Sequence, residues 1–348
     1  MTILRRFCAT LVGMVLFLAG LLKLMDPAGA SLLVGDYLRF FHLSFLTPAS
    51  GLFAEVFALL ETLLGAALMC GVWKRAVNVI CGLMLIFYTL LTAVLWILNP
   101  AMDCGCFGEA IHLTHAQSFF KNLVLLALLA IAALPFRAQF KPRIMRLVSF
   151  SITSVAVLGF AGWELFHLPL EDFGDYAPGK ELMKEGDEHP GGAPLYFYDE
   201  SGEYCNDILE RGWNLVISVH NPERMGRRGW EAVSALCDDM PEGVEPVLLL
   251  ATVPWRVEEL EVPESLRPHV CFADRRQLIS FNRSNGGATL IHGGFIAAKW
   301  ARRDLPSKDE LKRLSSGNET EAMMQFTNAS RFKFQAFLLG MFAIMLLL

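Results

Sequence analysis

Long apolar runs separated by short charged loops fill the first half of the chain, and then the pattern changes. A helix needs roughly 20 mostly apolar residues to cross a bilayer. Residues 7–24, 52–70, 76–98, 119–136 and 147–166 fit that length, and 334–348 forms a shorter sixth run, read here as a span. Arg5 and Arg6 ahead of the first run suggest a signal peptide, but no small-residue cleavage site follows, so it is read as a retained helix. Between residues 168 and 331 no long apolar run remains. Short apolar runs at 195–198, 215–219, 246–252 and 270–272 predict buried strands, with helices expected over 227–239 and 257–266. A hairpin is expected over 288–292 and 295–300, turning at Gly293-Gly294, followed by a helix over 307–314.

Loop charges give the expected orientation. Arg5, Arg6, Lys74, Arg75, Arg137, Lys141, Arg143 and Arg146 all fall on one side of the spans, the side that stays cytoplasmic. The N-terminus is then inside, and the loop 99–118 and residues 168–330 are extracytoplasmic, as in a multi-pass protein of a bacterial plasma (inner) membrane. Only 19% of residues are charged while 54% are hydrophobic, which makes the lipid bilayer a partner. A net charge of -5 without a basic stripe argues against nucleic acid.

The order of elements predicts five parts: a helical membrane unit over 1–136, a basic loop and fifth span over 137–167, and an acidic Gly/Pro-rich linker over 168–192. An α/β domain over 193–330 and the apolar segment 331–348 complete it. The α/β domain resembles a thioredoxin-like fold in order, not in chemistry. His220-Asn221-Pro222-Glu223 stands where such folds carry Cys-x-x-Cys, and Arg283-Ser284-Asn285-Gly286-Gly287 has no proline before the hairpin. Its cysteines, Cys205, Cys237 and Cys271, are widely spaced and read as buried small apolar residues, with one internal disulfide as the alternative.

The candidate chemistry lies in Asp103-Cys104-Gly105-Cys106-Phe107-Gly108, after the third span. Cysteines two apart can pair only in a tight, strained ring, which Gly105 makes accessible, and strained disulfides tend to be the labile ones. Asp103 would disfavour a thiolate there, and Lys121 at the start of the next helix would favour one. Inside the second span, Glu61 sits near mid-depth, where an ionisable group is costly and calls for a role. A proton relay is the candidate role. Lys23 is expected to snorkel to the interface or to meet Glu55.

The string from Asn99 to Thr114, together with Ala19-Gly20-Leu21-Leu22-Lys23-Leu24, Asp26-Pro27 and Glu61, resembles the methylamine-utilisation MauE family and the related DoxX-like proteins. The resemblance implies a membrane α-helical four-helix bundle plus linking helices, here followed by the extracytoplasmic thioredoxin-like α/β domain. It implies a thiol–disulfide oxidoreductase or disulfide-maturation role for Cys104 and Cys106, a membrane quinone as candidate acceptor, and an extracytoplasmic client protein met by the α/β domain. Two other readings stay open. Cys104, Cys106, His112 and His115 form a C-x-C-x5-H-x2-H set that suits Cu(I) or Zn(II). Alternatively, the chain is a non-catalytic assembly protein whose cysteines clasp a loop.

Overall fold

A computed structural model describes residues 2–134, 143–183, 193–317 and 332–343. Arg137, Lys141, residues 184–192 of the expected linker and residues 344–348 of the sixth run lie outside the described residues. The chain divides into a membrane unit, Met1–Leu165 with Gln335–Leu348, and a sheet unit, Phe166–Phe334.

The membrane unit contains α1 (Thr2–Met25), α2 (Pro27–Phe40), α3 (Ser50–Cys70), α4 (Lys74–Leu98), the extended segment β1 (Cys106–Glu109), α5 (His115–Ala133) and α6 (Arg143–Glu164). Five helices are long and apolar enough to cross a membrane, α1 and α3 to α6, where the family resemblance had implied four. A shorter apolar helix spans Phe332–Ala343. The sequence reading missed α2. Its start is well signalled: Pro27 takes the first position, and the Asp26 carboxylate accepts from the Gly29 N–H at 2.9 Å.

In lipid, helices associate through close packing rather than through exclusion of water. Here the closest seam joins α1 and α3. A Cβ placed on Gly65 would lie 2.4 Å from the Phe17 nitrogen and 2.6 Å from the Gly13 carbonyl oxygen, so backbone meets backbone without a side chain between. At the far end of α3, the last carbonyls have no helical partners. Arg6 donates to the Leu68 and Met69 carbonyls, and Arg146 donates to that of Gly71 at 2.6 Å. Cations there also suit the negative end of the helix dipole.

The sheet unit is built on a six-stranded mixed sheet. Ahead of it, β2 (Leu182–Met183) and β3 (Ala193–Pro194) form a short parallel pair. The main strands are β4 (Phe197–Tyr198), β5 (Trp213–Val219), β6 (Val244–Leu250), β7 (Val270–Ala273), β8 (Gly287–His292) and β9 (Phe295–Trp300), in the order β4-β7-β6-β5-β8-β9. The central β5, β6 and β7 run parallel, and the remaining pairings are antiparallel. Alternation along β5 buries both faces. Leu215, Ile217 and Val219 join Trp230 and Val233 of α7 (Gly226–Asp238). Val216 joins Val247, Leu249, Cys271 and Phe281, the last from α8 (Arg275–Phe281).

The helix expected over 257–266 is instead two 3-10 stretches, Pro254–Glu259 and Glu264–His269. Pro263 and Pro268 lack the N–H a continuous α-helix needs. α8 was not anticipated, and Asp274 caps it by accepting from Arg276 and Gln277 N–H groups at 2.8 and 3.1 Å. A last helix, α9 (Lys308–Ser316), starts at the Ser307 cap. Part of the stretch read as linker packs onto β9. The Gly179 N–H donates to Ile296, Leu182 to Gly294, and the buried Lys299 ammonium reaches Asp172 at 2.6 Å.

Candidate functional site

The Cys104–Cys106 loop is fixed from both sides. α4 ends at Asn99. After the loop, α5 opens with a capping box: Thr114 accepts from the Gln117 N–H at 3.2 Å, and Gln117 accepts from the Thr114 N–H at 2.9 Å. That anchors the first turns of α5, which carry Ser118 and Lys121. From the other side, the Tyr37 hydroxyl on α2 donates to the Cys104 carbonyl. Gly105 has φ +56°, and a Cβ there would fall 1.8 Å from Leu33 Cδ2 on α2. Both facts require glycine at this position.

The two sulfurs lie 3.3 Å apart as free thiols, Cys104 buried and Cys106 partly open. The hydrogen bond between the two sulfurs lowers the Cys106 thiol to about 5, with Lys121 and Lys23 adding positive charge against the opposing effect of burial. Cys104 moves the other way, held protonated by that hydrogen bond and by burial. One pair thus contains a ready nucleophile and a thiol that keeps its proton. Lys121 Nζ lies 4.7 Å from the Phe107 ring centroid, a cation–π contact that places its charge over the loop.

Lys23 neither snorkels nor meets Glu55. Its ammonium is 2.5 Å from the Glu61 carboxylate, which is only 3% exposed, and the Tyr88 hydroxyl donates to the same oxygen at 3.5 Å. A carboxylate at that depth is tolerable only with such a partner, and a spacing of six residues along α3 turns Glu55 about 120° away, onto another face. Asp103 makes an exposed contact with His112, at 3.3 Å. His115 is buried, with Nε2 3.4 Å from the Pro100 carbonyl oxygen. Cys104, Cys106, His112 and His115 therefore do not converge, and among the described residues no group of three or more His, Cys, Asp or Glu could hold a metal ion. Cys8, Cys70 and Cys81 lie in apolar clusters within the helices.

Cys104 and Cys106 stand in the wall of a cavity of about 560 Å³. Leu33, Phe53, Phe57 and Phe87 make much of its surface, and Lys23, Tyr37, Glu61, Tyr88 and Lys121 bring the polar atoms. Sequence reasoning found the cysteines, Glu61 and Lys121. It missed Tyr37, Tyr88 and the cavity, because α2 went unrecognised and because the facing side of α4 cannot be assigned from an evenly apolar run.

Five apolar helices, and a buried ion pair and two thiols around an apolar cavity, define a multi-pass membrane protein with a polar site set within its helices. The family model of the methylamine utilisation protein MauE matches residues 1–135, so that part of the chain is similar to MauE. No curated protein and no solved structure matches the chain.

Proposed function

We propose that the membrane unit is a thiol–disulfide oxidoreductase acting on extracytoplasmic proteins through Cys104 and Cys106. The observation that carries this reading is the lowered Cys106 thiol, 3.3 Å from a second cysteine, in a cavity wall. A structural cysteine pair has no need of a thiolate near neutral pH.

The Cys106 thiolate attacks one sulfur of a client disulfide. The client's leaving sulfur departs and takes up a proton. The Cys104 sulfur, giving up its proton, then displaces the client from Cys106 and closes the Cys104–Cys106 disulfide. The client gains two electrons and two protons; both electrons come from the cysteine pair, one proton from Cys104 and the other from water. Run backward, the same steps oxidise a client dithiol and leave Cys104 and Cys106 reduced, and this is the direction a quinone would serve, since it would take the two electrons and two protons from the pair. Lys121 stabilises the thiolate, while Asp103, turned toward His112, leaves it undisturbed. Glu61, near Tyr88 and Lys23, is placed to relay the protons that each cycle releases.

The cavity fits a membrane quinone in size, since small-molecule sites span about 300–1,000 Å³. Its aromatic wall suits the ring, and Lys23, Tyr37 and Lys121 suit the carbonyl oxygens. Bound there, a quinone would supply two-electron oxidising power. The sheet unit, with thioredoxin-like element order and His220-Asn221-Pro222-Glu223 in place of Cys-x-x-Cys, recognises the client rather than exchanging disulfides itself. The family resemblance and the loop charges support placing both the cysteine loop and the sheet unit on the outer face of a bacterial inner membrane.

Trapping tests this directly. Cys104→Ser should hold a mixed disulfide between Cys106 and a client in acid-quenched membranes, and Cys106→Ser should hold none. If neither variant captures a protein and both thiols of the native chain stay free, the exchange mechanism is wrong and the loop is a clasp.

A further inference from the structure

Cys205 and Cys271 are 66 positions apart, yet their sulfurs lie 3.7 Å apart. Cys271 sits on β7, and its side chain is buried. Cys205 precedes a 3-10 turn at 206–210, is half-buried, and is tied back to β4: its N–H donates to the Phe197 carbonyl at 3.2 Å. Both cysteines pack in the same apolar cluster, around Phe197 and Leu249. Cys237, on α7, packs against the cluster on the opposite face of the sheet and has no sulfur partner among the described contacts.

β4 needs the help of a cross-link. It is two residues long, lies at the edge of the sheet and pairs with β7 only through Phe197 with Ala273 and Tyr198 with Phe272. Such a short edge strand has few ladder bonds of its own. Non-bonded sulfurs at 3.7 Å are already in van der Waals contact, and closing them to a bond of about 2.05 Å asks for a small side-chain adjustment.

We infer that Cys205 and Cys271 form a structural disulfide that staples β4 and the turn after it to β7. The oxidant is a protein disulfide of an extracytoplasmic thiol oxidase. The half-buried Cys205 thiolate attacks it, releasing one of its sulfurs as a thiol. Cys271 then displaces the second sulfur, and two electrons and two protons end on the oxidant. Burial pushes the Cys271 thiol up to about 12 and raises that of Cys205 as well, so neither sulfur is poised to re-enter exchange once joined. The inference shares with the proposed function only the outer placement of the sheet unit. It does not use Cys104, Cys106 or the cavity.

The test is thiol counting on the full chain. Membranes are quenched in acid, denatured, alkylated with a maleimide, then reduced and alkylated with a second, heavier maleimide, and the peptides are mapped. Cys205 and Cys271 should carry only the second label and appear as one cross-linked peptide before reduction, while Cys237 carries the first. Cys205→Ser should transfer Cys271 to the first label. First-label alkylation of both Cys205 and Cys271 in the native chain overturns the inference, whatever the variant does. A reporter inserted between Glu242 and Gly243, in the exposed turn before β6, gives the sheet unit's side of the membrane. An outer reporter with free Cys205 and Cys271 defeats the staple alone, and a cytoplasmic reporter defeats the shared placement.

Discussion

Cys104 and Cys106 are two residues apart, in the wall of a cavity that also holds Lys23, Glu61 and Lys121. Cys205 and Cys271 are 66 apart and sit among Phe197, Leu249 and Phe281. In the first pair, one thiol falls to about 5 while its partner keeps the proton. In the second, both thiols rise. Sulfur chemistry is the same in the two places. The surroundings decide whether a pair of thiols is a reagent or a fastener: nearby cations and a donated hydrogen bond make a thiolate, while apolar burial suppresses it.

The largest contrast should be in stability. A cross-link stabilises chiefly by shortening the unfolded chain, and by loop-closure entropy a 66-residue loop is worth about 4 kcal/mol against roughly 1.5 kcal/mol for a three-residue ring. Reductant should therefore lower the urea midpoint of the sheet unit in the detergent-solubilised full chain, and leave that unit unchanged in a Cys205→Ser/Cys271→Ser variant. Equal loss in native and doubly substituted protein would erase the distinction.

Reactivity should differ next. Allowing for the weaker nucleophilicity of a low-pKa thiolate, Cys106 should alkylate about 100-fold faster than reduced Cys271 at pH 7. The sign is fixed by the direction of the shift: a lowered thiol stays ionised as pH falls, so the Cys106 rate should halve only near pH 5. Lys121→Met should move that midpoint upward by about one pH unit, narrowing the gap between the pairs. Iodoacetamide kinetics followed by peptide mass spectrometry read both effects.

The smallest expected effect concerns protons. Glu61→Gln should slow thiol oxidation at the membrane pair about tenfold and flatten its pH profile, consistent with the usual worth of a general acid–base group. The sheet pair's formation should not respond. Full oxidation rate across pH in Glu61→Gln would leave Glu61 as a partner for Lys23 and nothing more.

Much of this contrast was readable in the chain, for physical reasons that differ by element. The five spans stand out because lipid demands about 20 consecutive apolar residues, a signal no loop imitates. β5 and β6 were visible as short buried runs, and the β8–β9 hairpin through Gly293-Gly294. Cys104 and Cys106 were visible because they are neighbours in sequence. α2 was not, since its apolar residues are interrupted by Gly, Ser, Asp and Arg. The broken helix around Pro263 was misread because its apolar spacing outweighed the prolines. Lys23 with Glu61, and Cys205 with Cys271, are contacts between distant parts of the chain, and no local pattern encodes which of several partners folding will supply.

The seam between α1 and α3 bears on how anything enters the cavity. Where Gly13 and Gly65 bring two backbones into contact, there is no side chain to swing aside and no slack for one helix to slide along the other. Those two helices behave as a fixed frame, with Lys23 on one and Glu61 on the other. The remaining walls come from α2 and α4, which contribute Leu33, Tyr37, Phe87 and Tyr88, from the Cys104–Gly108 loop, and from Lys121 of α5. Any widening of the cavity would then come from movement of α2, α4 or the cysteine loop against a stationary frame.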